Sequence, residues 1–184
     1  MKVHKSAIVV LILFCAIVSK LNAYNLRQIS DKEGLSNSSI LSMSQDTDGF
    51  MWFGSCDGLN IFNGISIDVY KPTTDNNNIS GNLIESILEA ENGIFWVHTN
   101  YGLDRFDKRK KTVEHFDNFN GRYFFCKNTE NDIFILTEDN KLFYYHSPSK
   151  TFKKLDIGGV TFNNVLCISV DTNNTLWIFT NDKK

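Results

Sequence analysis

Residues 46–64 read DTDGFMWFGSCDGLNIFNG, an apolar run with a tryptophan in its middle and an Asp-Gly pair on either side. Both pairs are turn signals, because glycine accepts the positive φ that tight hairpin turns impose. Between them, Phe50-Met51-Trp52-Phe53 does not alternate. A strand built from this run carries large side chains on both faces and has to be covered on both.

The same stretch recurs. At an offset of 44 residues Ile40 falls on Ile84, Gly49 on Gly93, Trp52 on Trp96, Gly58 on Gly102, Leu59 on Leu103, Phe62 on Phe106 and Asn63 on Asp107. A weaker third copy follows at a further offset of 39, with Asp132 for the turn glycine, Ile135 for Trp96, Leu142 for Leu103 and Tyr145 for Phe106. A fourth begins at Val165 and runs through Asp171-Thr172-Asn173-Asn174 to Leu176-Trp177-Ile178. Each unit holds short β-type runs separated by Asp, Asn, Gly and Ser clusters, and four strands is the natural count. Units of this length with four strands, stacked face to face, describe β-propeller blades. The fold class is therefore all-β, with four-stranded antiparallel sheets at about 34–71, 78–117, 121–155 and 160–184. That makes an incomplete ring of about three and a half blades, since closed propellers need about four to eight. Trp52, Trp96 and Trp177 are expected to pack between blades rather than to stack on a ligand.

Residues 1–23 are set aside from the fold. Lys2, His4 and Lys5 precede an apolar run from Ala7 to Val18, followed by Ser19-Lys20-Leu21-Asn22-Ala23. This is the pattern of a secretory signal peptide, with cleavage near Ala23 and an uncleaved anchor as the competing reading. The run is too short for a spanning helix, which needs about 20 residues. After cleavage no membrane span is expected. Lys2, Lys5 and Lys20 account for three of the 19 basic residues and none of the 21 acidic ones, so the remainder carries a formal charge of −5. That balance argues against nucleic acid. The cluster Lys108-Arg109-Lys110-Lys111 reads as a solvated turn, with a polyanion site as the alternative. Cys56, Cys126 and Cys167 have no C-x-x-C spacing; an odd count leaves a thiol free, and Cys126 and Cys167 read as small buried hydrophobes.

The run GLSNSSILSMSQDTDGFMWFGSCDGLNIFNG, residues 34–64, resembles the two-component regulator propeller repeat, with its Gly-Leu-Ser opening, Asp-x-x-Gly-x-x-Trp turn and Gly-Leu-x-x-Phe close. The unit from Asn78 to Asp107 is similar, and the later copies agree in outline. The resemblance implies the periplasmic sensor half of a hybrid two-component system, with oligosaccharide as ligand class. It implies as partner the remainder of a sensor kinase, or else a homodimer partner. Nothing in the chain resembles a kinase or a response regulator, so the expectation is an N-terminal fragment of such a sensor with no signalling output of its own. The alternatives are an exported protein-protein interaction scaffold of propeller blades, or a fragment of a propeller lyase or hydrolase.

No catalytic, cofactor or metal residues are assigned. Asp46, Asp48 and Gly49 suggest a calcium loop, but Ser55 stands where the bidentate Glu belongs. His98, His115 and His146 share no spacing, and no Gly-x-Ser-x-Gly elbow, His-Glu-x-x-His or phosphate loop occurs. Ligand-binding residues are left unknown. Tyr101, His98 and Asn100 lie near a strand-to-strand turn that could meet sugar, with a packing or turn role as the default for each.

Overall fold

A computed structural model of the chain describes residues 26–74, 77–119 and 121–181. The leader expected at 1–23 lies outside them. The first sheet has the order β1 (Ile40–Gln45), β2 (Met51–Ser55), β3 (Gly58–Phe62), β4 (Ile67–Tyr70). The second runs β5 (Ile84–Glu89), β6 (Ile94–Thr99), β7 (Gly102–Asp107), β8 (Thr112–Phe116), and the third β9 (Tyr123–Lys127), β10 (Ile133–Thr137), β11 (Leu142–His146), β12 (Thr151–Leu155). The fourth pairs β13 (Val165–Val170) with β14 (Leu176–Thr180). All pairings are antiparallel between sequence neighbours. The architecture is all-β, built of propeller blades, and the four sheets do not close into a ring among the described residues.

One local device recurs at the turn between the first two strands of the first, third and fourth sheets. Asp46 Oδ1 accepts the backbone N–H groups of Asp48 and Phe50 at 3.0 and 2.8 Å, while Gly49 turns the chain at φ 86°. The other oxygen, Oδ2, accepts the Trp52 indole N–H at 2.9 Å. The turn carboxylate thus fixes the rotamer of the tryptophan six residues on. In the fourth sheet Asp171 repeats every element: N–H groups of Asn173 and Thr175 at 2.9 Å, Asn174 at φ 61°, Trp177 Nε1 at 2.9 Å. In the third, Asn128 Oδ1 accepts from Glu130 and Asp132, and Asn131 takes the left-handed position at φ 68°.

The third copy corrects the sequence alignment. Asn131, not Asp132, replaces the turn glycine, and Phe134, not Ile135, stands where Trp96 does. The offset is 38 up to the β10–β11 turn, where the Thr137–Lys141 turn is one residue longer than Thr99–Gly102 and restores 39 at Leu142. Asparagine tolerates the left-handed region better than other non-glycine residues, which hides the turn from a search for glycine.

Packing follows from the two-sided strands. Trp52, Leu59 and Ile61 of the first sheet bury against Ile84, Phe95, Val97 and Phe106 of the second. The Trp52 and Phe95 rings stack with centroids 3.6 Å apart. Trp96 and Leu103 leave by the opposite face and meet Ile133, Ile135 and Tyr145 of the third sheet, and Leu136 and Leu142 meet Ile168 of the fourth. Gly54 lets the first two sheets approach: a Cβ there would meet Ser42 Oγ and sit 2.7 Å from Ile84 O.

Three expectations change. Lys108 is not a solvated turn residue: its Nζ donates to Asp46 Oδ2 at 2.6 Å and Asp48 Oδ2 at 2.9 Å, and lies 3.9 Å from the Phe50 ring centroid. It ties the second sheet to the turn of the first. Cys167 is exposed rather than buried, and Cys56, Cys126 and Cys167 are free thiols, that of Cys126 pushed up to about 11 by burial. Trp177 is 52% exposed, against 0% for Trp52 and 1% for Trp96, because no sheet covers its face among the described residues.

Trp52→Ala should cost about 3–5 kcal/mol of unfolding free energy in urea titration, since it empties the space between two sheets. Lys108→Met should cost about 2 kcal/mol, because it removes the ammonium that neutralises the buried Asp46 carboxylate and leaves it only neutral donors, whereas the exposed Lys71–Asp57 pair should yield under about 1 kcal/mol on Lys71→Met. Burial raises the Asp46 pKa, but the Lys108, Trp52 and Phe50 donors outweigh it and hold the carboxyl below its ordinary 3.8. Its stabilisation is therefore present above 3.8 and is lost as pH falls through the folded value. The acid limb of a stability–pH curve should be shallower in Lys108→Met.

Candidate functional site

The connectors between sheets and the turns between second and third strands meet at one end of the fold. Each turn donates a backbone N–H to the connector of its own blade: Cys56 to Ser39 O, Asn100 to Leu83 O, Glu138 to Arg122 O and Asn181 to Asn164 O, at 2.9–3.1 Å. A second layer of bonds repeats in the first two blades. Ser36 N–H donates to Asn60 Oδ1 at 2.8 Å and Ser80 N–H to Asp104 Oδ2 at 2.6 Å. The hydroxyl pairs Ser36–Ser55 and Ser80–Thr99 lie at 3.0 and 2.8 Å. Ser36 and Ser80, Ser55 and Thr99, and Asn60 and Asp104 each stand 44 residues apart. The connectors are therefore held to the sheets by polar contacts that sequence comparison on glycines and aromatics passes over.

Within this end a cleft of about 620 Å³ opens beside the second sheet. Its walls are Pro72, Thr73, Asn78, Ile79 and Ser80 of the connector, Asn100 and Tyr101 of the β6–β7 turn, and His115 and Asp117 at the end of β8. Tyr101 is 63% exposed and offers its ring to solvent, while its backbone N–H is fixed on Thr99 Oγ1 at 3.2 Å. Asn100 Oδ1 accepts the Leu83 N–H at 3.1 Å, which leaves its amide nitrogen as a donor. His115 Nδ1 lies 2.8 Å from Oδ1 of the fully buried Asp104. Burial pushes the Asp104 carboxyl up, and the His115 and Ser80 donors pull against it without reversing the shift.

These groups suit binding better than bond-breaking. Ser80 Oγ is paired with Thr99 Oγ1, so the His115–Asp104 pair does not activate it as a nucleophile. Among the described residues no group of three or more His, Cys, Asp or Glu side chains could hold a metal ion. Asp46 and Asp48, the residues of the suggested calcium loop, are both engaged by Lys108.

Of the three residues near the turn, Tyr101 and Asn100 line the cleft and His98 does not. His98 is buried between the second and third sheets, its ring stacked on Tyr123 with centroids 3.8 Å apart. Burial lowers its pKa, with Glu85 opposing weakly. Asn78, His115 and Asp117 went unselected because the cleft brings together residues from a connector, a turn and an outer strand.

Asn60 occupies in the first blade the place Asp104 takes in the second, so Asp104→Asn should keep the Ser80 contact and change stability by under about 1 kcal/mol. Asp104→Leu orphans the Ser80 N–H and should cost about 1–3 kcal/mol. The raised pKa means that Asp104 favours folding in its neutral form, a contribution complete below 3.8 that declines as pH rises past it. Asp104→Asn should abolish that decline in a stability–pH curve.

Comparison with known proteins agrees with the architecture. Residues 34–57 match the family model described as two component regulator propeller. No curated protein sequence matches. The extracellular domain of a hybrid two component system from B. thetaiotaomicron is 20% identical with a TM-score of 0.51, over 86% of this chain and 30% of that one. A second such domain from B. thetaiotaomicron is 20% identical with a TM-score of 0.61, over 77% of this chain and 19% of that one. Virginiamycin B lyase from Staphylococcus aureus is 15% identical with a TM-score of 0.58, over 79% of this chain and 50% of that one. The chain thus spans less than a third of the two extracellular domains. It is similar in fold to these extracellular domains, and its residues 34–57 match the two component regulator propeller model.

Proposed function

We propose that this chain is the N-terminal, ligand-binding part of an exported sensor of the hybrid two-component type. Its ligand is an oligosaccharide, bound in the cleft beside Tyr101. The observation that carries this reading is the pairing of an exposed aromatic ring with fixed polar groups around an open cleft. A sugar offers an apolar C–H face to a ring and hydroxyls that both donate and accept, and the Asn100 amide and Asp117 carboxylate supply partners of both kinds. The repeat matched at 34–57 supports a sensory role, and the apolar leader at 1–23 supports export to the periplasm. Signalling output belongs to a kinase partner, and no reaction is assigned to the chain. Among the described residues no helix is long and apolar enough to cross a membrane.

A second reading, an interaction scaffold, is favoured by the exposed apolar side chains of the first and last sheets. Calorimetric titration with a panel of neutral and acidic oligosaccharides separates the two. The sensor reading expects saturable heat with at least one saccharide. Tyr101→Ala should weaken that binding roughly tenfold, the loss of one aromatic contact of about 1.4 kcal/mol, without moving the melting temperature. Absence of heat across the panel from folded protein rejects it.

A further inference from the structure

A second opening lies at the same end of the fold as the Tyr101 cleft, where connectors and turns meet. It measures about 300 Å³ and belongs to the third sheet as the first belongs to the second. Its walls come from the connector before β9, from the β10–β11 turn and from Phe143 of β11. Neither opening uses a residue of the first or the fourth sheet.

The two openings adjoin and are held in register. Asp117 lines the first and Asn118 the second, and the Cα atoms of consecutive residues stand about 3.8 Å apart. Tyr123, buried in the wall of the second, donates its hydroxyl at 3.2 Å to the carbonyl of Gly102, the residue after Tyr101. The turn that carries Tyr101 is thereby fixed to the wall of the second opening. A ligand that touches both does not have to order one against the other, which lowers the cost of binding.

The second opening also presents a donor and an acceptor. Glu138 N–H donates to Arg122 O at 3.1 Å, so the two backbones are joined. Their side chains are exposed and oppositely charged, yet no ion pair joins them, and among the described residues no carboxylate lies within 4.0 Å of the Arg122 guanidinium. Lys141 by contrast pairs with Asp139 at 2.6 Å. Arg122 lies over the Phe124 ring, 5.4 Å from its centroid, which steadies its fork of five N–H donors. A guanidinium that donates and a carboxylate that accepts, on joined backbones, match two neighbouring hydroxyls of one sugar. The partly buried Phe143 adds an apolar surface.

Resting on the oligosaccharide reading of the Tyr101 cleft, we propose that Arg122 and Glu138 of the third blade form a second saccharide subsite and that the ligand is an extended chain lying across both openings. A chain held in one opening presents its next units to the other at high effective concentration, so affinity rises with chain length.

Calorimetric titration of the exported, purified chain with ladders from disaccharide to octasaccharide, prepared from cellulose, xylan, mannan and polygalacturonate, tests it. At least one ladder should bind, the octasaccharide at least about tenfold tighter than the disaccharide. Arg122→Ala and Glu138→Ala should each weaken the octasaccharide about threefold to tenfold and leave the disaccharide unchanged. The melting temperature should not move in Glu138→Ala, whose side chain is exposed and makes no hydrogen bond among the described residues. Tyr101→Ala should weaken both lengths alike. Equal affinity for the two lengths, or an octasaccharide indifferent to both third-blade variants, overturns the second subsite and leaves the Tyr101 cleft standing. A folded chain that gives no heat with any ladder overturns both.

Discussion

A bulky side chain on the second strand sets the spacing between the first and second sheets and between the second and third, and the packing of the chain is arranged around it. Where Asp46 accepts the Trp52 indole, the ring is locked before the next sheet arrives and can stack on Phe95 at 3.6 Å. The constraint is volume rather than the indole itself. Ala90 stands in the second blade where Asp46 stands in the first, so Trp96 has no such carboxylate, and it is held instead by Phe116, Tyr145 and Phe152 at 4.8–5.5 Å between ring centroids. Phe134 has the corresponding register position in the third, opposite Cys126. A sheet that carries large residues on both faces cannot be half solvated, so each blade depends on its neighbours more than on its own hydrogen bonds.

That dependence explains what could be read from the chain alone. The repeat, the four-strand unit and the packing role of Trp52 and Trp96 follow from period and turn chemistry, because glycine at a left-handed turn and tryptophan between sheets admit few substitutes. The register of the third copy was misread at the place where substitutes are admitted. Asn131 adopts φ 68° without being glycine, and a longer β10–β11 turn shifts the offset by one. Lys108 was misread for a different reason. Its neighbours in sequence are charged and exposed, while its partners Asp46 and Asp48 are about 60 residues away, at 62 and 60. Periodicity carries no information about a contact made once.

The cleft shows the same limit from the other side. Its scaffold repeats, since Ser36, Ser55 and Asn60 reappear as Ser80, Thr99 and Asp104, but its lining does not. Cys56 and Asp57 in the first blade stand where Asn100 and Tyr101 stand in the second, and Val69 pairs with Asn60 where His115 pairs with Asp104. A repeat search discards the positions that differ between copies, and those are the ones that give this end its chemistry. Loops held by a common framework are free to vary for that reason.

The exchange of Asn60 for Asp104 links the two levels. An amide at this buried place satisfies the connector N–H with no charge to accommodate, as the first blade shows. A carboxyl there bears a desolvation cost, visible in its raised pKa, which the second donor His115 partly offsets. Stability alone favours the amide. What the carboxyl adds is a fixed position for the imidazole at the cleft wall, whose Nδ1 lies 2.8 Å from Asp104 Oδ1. The second blade thus gives up some of the first blade's neutrality in its interior and gains an oriented histidine at its rim, while the faces that stack the blades remain unchanged.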